Sequence, residues 1–330
     1  MISVKKYKKN LSETWDQFVE SSNNGTIYNT RRFLSYHIQR KFVDSSLCFF
    51  KQQKIVAVLP AAIKNNQLIS HPGASYGGLI IRNNLKFAII DKIITLLEQY
   101  CINNKILSIF LIPSPSIYWK KYDASLEYIL EYKKFDVKES YISHAAPLDK
   151  TSPIINHINR RKQRYIKNYI NNNEFQIIEH FSFADKYGKA FYEILELNKK
   201  KYSTTPTHSI RELTKLKKIF PDQIKLFISL KKKCVVGGAI LFITNNNTSL
   251  VFYNAVAKNM RNTQLSAYQL YFCSNISEQL GMCFIDFGVS QKAETINPLS
   301  PKMSLIKFKE QLNAVGVRRK AYQKEFNAKK

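Results

Sequence analysis

At 330 residues, with 45% hydrophobic and 13% aromatic residues, the chain is long and apolar enough to form two folded domains, which excludes a disordered protein. Lysine and arginine number 51 against 24 acidic residues, and the formal net charge of +27 favours anionic partners such as nucleotides, RNA or lipid headgroups. The abundance of Asn, Ile, Tyr and Lys is also typical of an AT-rich coding sequence, so compositional drift explains part of the charge equally well.

No stretch approaches the roughly 20 apolar residues of a membrane span, and the first residues, MISVKKYKKN, lack a signal-peptide core. We expect a cytoplasmic protein, with peripheral association at the inner, anionic membrane surface left open. No metal and no disulfide framework is expected, because the cysteines and histidines lack ligand or triad spacing. They are Cys48, Cys101, Cys234, Cys273 and Cys283, and His37, His71, His144, His157, His180 and His208.

In the first half, the hydrophobic pattern predicts a strand, a turn, a second strand, a glycine-containing loop, an amphipathic helix and a closing strand. These elements cover residues 54–63, the turn at Asn65-Asn66, a strand from Gln67, the loop HPGASYGG at 71–78, a helix over 86–104 and a strand over 106–112.

The second half repeats this order of elements. Strands are predicted over 234–244 and 249–257 around a turn at 245–247, followed by the loop KNMRNTQ, a helix ending at Gly281 and a strand over 283–287. Between the halves, residues 152–173, 183–201 and 211–219 predict helices in a distinctly basic region. Because this is the central order of a GNAT domain, we expect an α/β fold of two tandem GNAT-like domains with mixed sheets.

The expected boundaries are 1–149 for the first domain, 150–315 for the second with its basic helical connector, and 316–330 for a tail that returns to the first domain. Several segments resemble the FemAB-like branch of the GNAT superfamily, in the same order along the chain. They are WDQFVESSNNGTIYNTRRFLSYH, HPGASYGGLI, INRRKQRYIKN, and IDFGVS followed by LIKFKEQLNA.

The resemblance implies two acetyltransferase-like domains around a shared cleft and transfer of an acyl or aminoacyl group onto an amine. It implies acyl-CoA or aminoacyl-tRNA as the donor, and a nucleotide- or lipid-linked amino sugar precursor of the cell envelope as the acceptor. Two alternatives stay open: a transferase that builds peptidoglycan bridges from aminoacyl-tRNA, and a noncatalytic protein that binds RNA or a membrane surface.

Two segments are candidates for ligand binding. Ser75, Tyr76, Gly77 and Gly78 lie in the HPGASYGG loop, whose glycines let a ligand approach backbone N–H groups, and the resemblance places this loop over the cleft. A tight turn is the alternative. Three arginines, Arg160, Arg161 and Arg164, belong to a predicted helix and suit phosphate oxygens, with a solvated basic face as the alternative.

A GNAT site for coenzyme A carries glycines before the second-half helix, where backbone amides bind the pyrophosphate. This chain instead has Arg261-Asn262-Thr263-Gln264-Leu265-Ser266, so the donor stays open between acyl-CoA and aminoacyl-tRNA. Arg261 and Asn254 are further candidates for substrate binding.

Amine acylation needs an acceptor for the amine proton and donors for the tetrahedral oxyanion. Asp286 is the candidate base, with a local turn or cap as its alternative role, and Tyr253 is the candidate donor. Lys309 matches the lysine of the family's FK motif, which implies that it offsets charge on the donor or intermediate. Its alternative is an ordinary exposed lysine on the last helix.

Overall fold

The computed structural model describes residues 1–36, 42–201, 203–292 and 300–326, so His37 lies outside the described residues. The strands are β1 Ile2–Lys6, β2 Val43–Asp44, β3 Leu47–Lys51, β4 Lys54–Leu59, β5 Ala61–Lys64, β6 Gln67–Ser70, β7 Ile80–Ile81, β8 Ser108–Leu111, β9 Asp136–Pro147, β10 Phe175–His180, β11 Ile224–Lys231, β12 Cys234–Ile243, β13 Thr248–Val256, β14 Phe284–Val289 and β15 Val315–Glu325. The helices are α1 Ser12–Ser21, α2 Arg31–Leu34, α3 Phe87–Asn103, α4 Ser125–Tyr132, α5 Ile154–His157, α6 Arg160–Ile170, α7 Lys186–Lys200, α8 Ile210–Ile219, α9 Leu265–Gln279 and α10 Met303–Glu310.

The described chain divides into two compact units. The first combines residues 1–141 with residues 318–326, and the second consists of residues 142–317. The chain therefore leaves the first unit within β9 and re-enters it within β15.

Two sheets build the first unit, with strand orders β1-β3-β4-β7 and β15-β8-β6-β5-β2. The predicted amphipathic helix is confirmed as α3, whose residues Ile90, Ile93, Ile94 and Leu97 are buried at helical spacing. They pack in one apolar cluster with strand residues such as Leu68 and Ile109. This packing stabilises α3, since helices gain most of their stability from burying an apolar face.

The single strand expected over 54–63 is wrong. Pro60 divides it into β4 and β5, which belong to different sheets of the first unit. The physical reason is that proline has no backbone N–H to donate to a neighbouring strand. The turn that follows is confirmed, because Asn65 and Asn66 both have positive φ angles, 51° and 58°, which asparagine tolerates in tight hairpins.

The second unit contains one mixed sheet in the order β10-β11-β12-β13-β14-β9. All neighbouring pairs are antiparallel except β13 and β14, which run parallel. The predicted elements are confirmed here: β12 and β13 form the hairpin, α9 follows the loop, and β14 follows α9. Gly281 caps α9 with φ +82°, and its N–H donates to Glu278 O at 2.9 Å.

The basic connecting region forms helices as expected, but its first helical stretch is divided in two. α5 ends at His157, and Asn159 then caps α6 by accepting the Arg161 N–H on its side chain at 3.0 Å. Asp185 and Ser209 cap α7 and α8 in the same way. No helix in the described ranges combines the length and apolarity that crossing a membrane requires.

The repeated order of elements extends to the strand pairing. In the first unit β6 and β8 run parallel over three residue pairs, from Gln67↔Ser108 to Ile69↔Phe110. In the second unit β13 and β14 also run parallel over three pairs, from Thr248↔Phe284 to Leu250↔Asp286. Each unit thus contains two parallel strands that are joined by a helix. β6 and β8 pair over three of their four residues each, whereas the longer β13 and β14 pair only at their beginnings.

A glycine of the central hairpin tests the packing of the second unit. In Gly238→Ala the new Cβ would lie 2.5 Å from Phe227 O and 2.8 Å from the Phe191 ring. We expect overpacking to lower the free energy of unfolding by about 1–3 kcal/mol in urea denaturation followed by circular dichroism. Gly316→Ala is the control, because its Cβ meets only the flexible end of Ile142, at 3.1 Å, and a loss of similar size there would contradict the packing argument.

Candidate functional site

In the first unit, loop 71–79 closes the gap between β6 and β8. Beyond the three paired residues, the Ser70 hydroxyl accepts the Ile112 N–H at 2.8 Å and the Gly77 N–H donates to Ile112 O at 2.7 Å. Gly77 also bridges to Pro113. A Cβ on Gly77 would lie 2.8 Å from the backbone of His71, so this close approach requires glycine. Backbone groups of the loop therefore occupy the gap.

The aromatic residue of this loop is also packed inside the first unit. Tyr76 is 2% exposed, and its ring centroid lies 4.9 Å from that of Tyr118. The Arg319 guanidinium lies 4.7 Å from the Tyr76 ring centroid and donates to Ser75 O at 3.3 Å. The structure thus places the predicted group Ser75 to Gly78 in the first unit, and packing alone accounts for Tyr76 and Gly77.

In the second unit the corresponding gap is open. Pairing stops at Leu250↔Asp286, although β13 continues to Val256 and β14 to Val289, and the separated strands border a cavity of about 390 Å³. Residues 251–254 of β13 line it, with Phe287 and Val289 of β14. The other lining residues are Leu195, Asn198 and Lys199 of α7, Ser266 and Leu270 of α9, and Lys302, Leu305, Phe308 and Lys309 in and before α10.

Asp286 and Lys309 hydrogen-bond to the backbone at the end of β14, where this strand separates from β13. Asp286 is fully buried and accepts the Gly288 N–H on Oδ1 at 2.7 Å, while Lys309 Nζ donates to Gly288 O at 2.7 Å and to Val289 O at 3.1 Å. Gly288 has φ +78°, and the register between β14 and β9 shifts between Asp286 and Val289. The hydrogen bond of Asp286 to the Gly288 N–H is the contact expected of a carboxylate in a local turn. Lys309 is only 4% exposed, so it is not an ordinary surface lysine.

The third contact of Lys309 begins a chain of hydrogen bonds. Its Nζ donates to Ser290 Oγ at 3.0 Å, and Ser290 Oγ lies 2.9 Å from His144 Nδ1. Burial and the positive charge of Lys309 lower the pKa of His144, which favours the neutral imidazole at pH 7. Lys309 therefore directs all three ammonium protons at protein acceptors.

Tyr253 lines the cavity as a protonated phenol. Burial raises the pKa of its hydroxyl, which accepts the His208 N–H at 3.2 Å and lies 3.2 Å from His208 Nδ1. A phenol that stays protonated at neutral pH is able to donate a hydrogen bond.

Asn254 presents an acceptor without a partner. Its Nδ2 donates to Ser266 O at 3.2 Å and to Ser266 Oγ at 3.0 Å, while Oδ1 is buried with no hydrogen bond. The orientation of the amide is fixed, because the carbonyl oxygen of Ser266 can only accept and would repel Oδ1. A buried acceptor without a partner costs about 1–3 kcal/mol, and an N–H that reached this atom after a local movement would offset that cost.

The predicted arginines lie on the surface of the same unit. Arg160, Arg161 and Arg164 are exposed on the first turns of α6, and Arg261 is exposed in the loop before α9. The neighbouring Lys162 is buried instead, where it donates to Gln264 Oε1 and lies 4.8 Å from the ring centroid of Phe308. α6 is thus attached to the loop before α9 and to a residue of the cavity wall.

The structure therefore brings Tyr253, Asn254 and Lys309 to one cavity, and Asp286 acts beside Lys309 without lining it. Sequence reasoning missed Lys199 and Ser266. A signal for Lys199 existed, because it follows Tyr192 and Leu195 at helical spacing on the buried face of α7. Within the described ranges, no three His, Cys, Asp or Glu side chains converge on a metal site.

No protein-family model matches the chain, and no curated protein matches it in sequence. Solved structures do resemble it. FemX superposes with a TM-score of 0.73 at 12% identity over 98% of both chains. A tandem GNAT protein from the clavulanic acid biosynthesis pathway gives 0.54 at 8% identity over all of both chains. The C-terminal domain of a putative lysylphosphatidylglycerol synthetase from Agrobacterium fabrum gives 0.54 at 6% identity over 81% of this chain and 80% of that one.

These likenesses define the class of fold as the tandem GNAT fold, as the repeated order of elements predicted. Within that class, the chain has the fold of FemX, and the FemAB-like resemblance is confirmed at this level.

The buried Lys309 gives the stability a specific pH dependence. Burial lowers its pKa from 10.5 to about 8, against the opposing effect of Asp286. Between these two values the unfolded chain binds the proton and the folded chain releases it, so this residue makes stability rise with pH in that range. We expect the difference in unfolding free energy, wild type minus Lys309→Met, to increase by up to about 3 kcal/mol from pH 8 to 10.5.

Urea denaturation followed by circular dichroism measures this difference. Taking the difference between two variants cancels the titration of tyrosines and cysteines, which opposes it in the same range. A difference that stays flat with pH would show that Lys309 titrates as a solvated lysine does.

Proposed function

We propose that the protein is an acyltransferase, which moves an acyl or aminoacyl group from an activated donor onto an amine in the cavity between β13 and β14. The observation that carries the proposal is a contrast between the units. Backbone groups fill the gap beside the parallel strands β6 and β8 in the first unit, whereas the gap between the parallel strands β13 and β14 in the second unit is open. The open gap offers polar side chains for a ligand to contact.

The side chains of the cavity suit the steps of amine acylation. An attacking amine carries N–H groups, and Asn254 of the lining has an Oδ1 that makes no hydrogen bond and would accept one of them once ligand binding exposes this buried atom. The carbonyl oxygen of the donor gains negative charge in the transition state, and the protonated hydroxyl of Tyr253 is the donor that we assign to it. Lys309 adds positive charge near this point and holds β14 in place.

Our assignment for Asp286 is support of the cavity wall. The fully buried carboxylate accepts the N–H of Gly288, and Lys309 binds the carbonyl of the same residue. The position of Asp286 on the strand predicted that it accepts the amine proton. That role requires contact with the amine, and Asp286 does not line the cavity in which the amine would bind.

The acceptor class that we propose is an amino sugar or glycan precursor of the cell envelope, linked to a nucleotide or lipid. The donor is acyl-CoA or aminoacyl-tRNA. Support comes from the FemAB-like sequence segments and from the named relatives, among them a GNAT protein and a putative lysylphosphatidylglycerol synthetase.

Mass spectrometry tests the proposal directly. Purified protein is incubated with acetyl-CoA or with charged tRNA, together with nucleotide-linked amino sugars, and the acceptors are examined for the mass of an added acyl group. Loss of the product after ribonuclease treatment would identify the tRNA donor. Absence of transfer from both donors to every acceptor would count against an acyltransferase.

Removal of the free acceptor atom should weaken transfer. For Asn254→Ala we expect kcat/KM to fall about 10-fold or more, because the amine loses a hydrogen bond within a buried site. Asn168→Ala is the matched control, since Asn168 is exposed on α6, and its kcat/KM should stay within about 2-fold. Equal activities of the two variants would remove Asn254 from the site.

Two substitutions of Asp286 separate support from catalysis. Asp286→Asn keeps an oxygen for the Gly288 N–H, and we expect it to retain kcat within about 10-fold of wild type. Asp286→Ala leaves that N–H without its acceptor, so its unfolding free energy should fall by about 1–3 kcal/mol. A folded Asp286→Asn protein whose kcat is reduced 100-fold or more would restore the role of general base.

A second candidate is a noncatalytic protein that binds RNA or an anionic membrane surface, favoured by the exposed Arg160, Arg161 and Arg164. No carboxylate of the described residues lies within ion-pair distance of these arginines. Binding of RNA or anionic vesicles that weakens with salt, together with full cellular function of Asn254→Ala, would favour this candidate.

A further inference from the structure

The cavity between β13 and β14 is positively charged. Three lysines line it, Lys199, Lys302 and Lys309, and among the described residues of its lining none is acidic. Asp286 lies near Lys309 and offsets part of that charge, but it is fully buried outside the lining. A positive field inside a partly enclosed cavity favours an anionic ligand, because low-dielectric walls strengthen the attraction.

The lysines differ in what they offer to a ligand. Lys309 directs its three donors at Gly288 O, Val289 O and Ser290 Oγ, so it contributes charge and no further hydrogen bond. Lys199, in the last turn of α7, has its Nζ 5.8 Å from the ring centroid of Tyr253 and no carboxylate of the described residues within ion-pair distance. Burial lowers its pKa, which is the signature of a cation that has lost water without gaining an anion.

The lining of the same cavity also includes Asn254, whose side-chain oxygen accepts hydrogen bonds, in contrast to the lysine ammonium groups that donate them. Asn254 Oδ1 is buried, has no hydrogen bond and is fixed in orientation by Ser266 O. A ligand that satisfies both groups combines an anion for Lys199 with an N–H donor for Asn254. Polyamines and lysine side chains fail this requirement, since they would add positive charge to a cavity that already contains three lysines.

We propose that Lys199 is the anion-binding residue of this cavity and that the acceptor is an amine bearing a phosphate or carboxylate group, which Lys199 binds. The description of this ligand as the acyl acceptor rests on the proposed function. Binding of the ligand does not itself require acyl transfer. The positive cavity also favours the neutral form of the amine, which is the form that attacks an acyl carbonyl.

Isothermal titration with three matched probes tests the charge requirement without any acyl donor. Glucosamine 6-phosphate carries an amine and a phosphate, glucosaminic acid an amine and a carboxylate, and glucosamine an amine alone. We expect at least one anionic probe to bind about 10-fold or more tightly than glucosamine, with the preference weakening as salt increases. The better of the two anionic probes identifies the anion.

Variants assign this preference to one residue. Lys199→Gln should reduce it to less than about 3-fold, whereas Lys200→Gln, the same charge change at the adjacent exposed position, should leave it intact. Circular dichroism melting checks that both variants fold. Equal binding of the three probes, no binding by any of them, or an unchanged preference in Lys199→Gln would overturn the proposal. Failure of acyl transfer with the charge preference intact would overturn the proposed function alone.

Discussion

The second unit depends on one interruption of hydrogen bonding: β13 and β14 pair over three residues and then separate. Backbone groups that leave a sheet must find other partners, and this chain supplies them with buried charges. The carboxylate of Asp286 takes the N–H of Gly288, and the ammonium group of Lys309 takes its carbonyl. The cavity and the presence of Tyr253 and Asn254 in its lining follow from holding the two strands apart at this point.

The two units show that one pattern of elements leads to different outcomes. In the first, Ser70 and Gly77 carry hydrogen bonds across the gap between β6 and β8. In the second, no described residue fills the equivalent gap, and side chains of α7, α9 and α10 surround it. A doubled fold therefore does not imply a doubled site. The difference between the two units depends on a few atoms of the loop after β6. A sequence pattern that predicts strands and helices does not show where such atoms lie.

Sequence reasoning succeeded where a local rule decides the outcome. The hairpin at Asn65-Asn66, the helix α3 and the cap at Gly281 each follow from a turn residue or a helical repeat. It failed at Pro60, where the same apolar run enters two sheets, since a run of buried residues does not reveal which strand each half will pair with. The FK motif pointed to Lys309, and helical spacing places Lys199 on the buried face of α7, but neither signal tells how deeply a lysine of these basic, helical segments lies. Only tertiary packing separates the buried ones from their exposed neighbours.

The division of the chain between the units has a consequence for its synthesis. The second unit is contiguous, from residue 142 to 317, whereas the first needs both ends of the chain. Tyr322 of β15 belongs to the main apolar cluster of the first unit and pairs with Leu111 of β8. On the ribosome, residues 1–141 therefore lack the strand that pairs with β8 until residues 318–325 emerge, and the second unit, with its open gap, is the one able to complete its fold earlier.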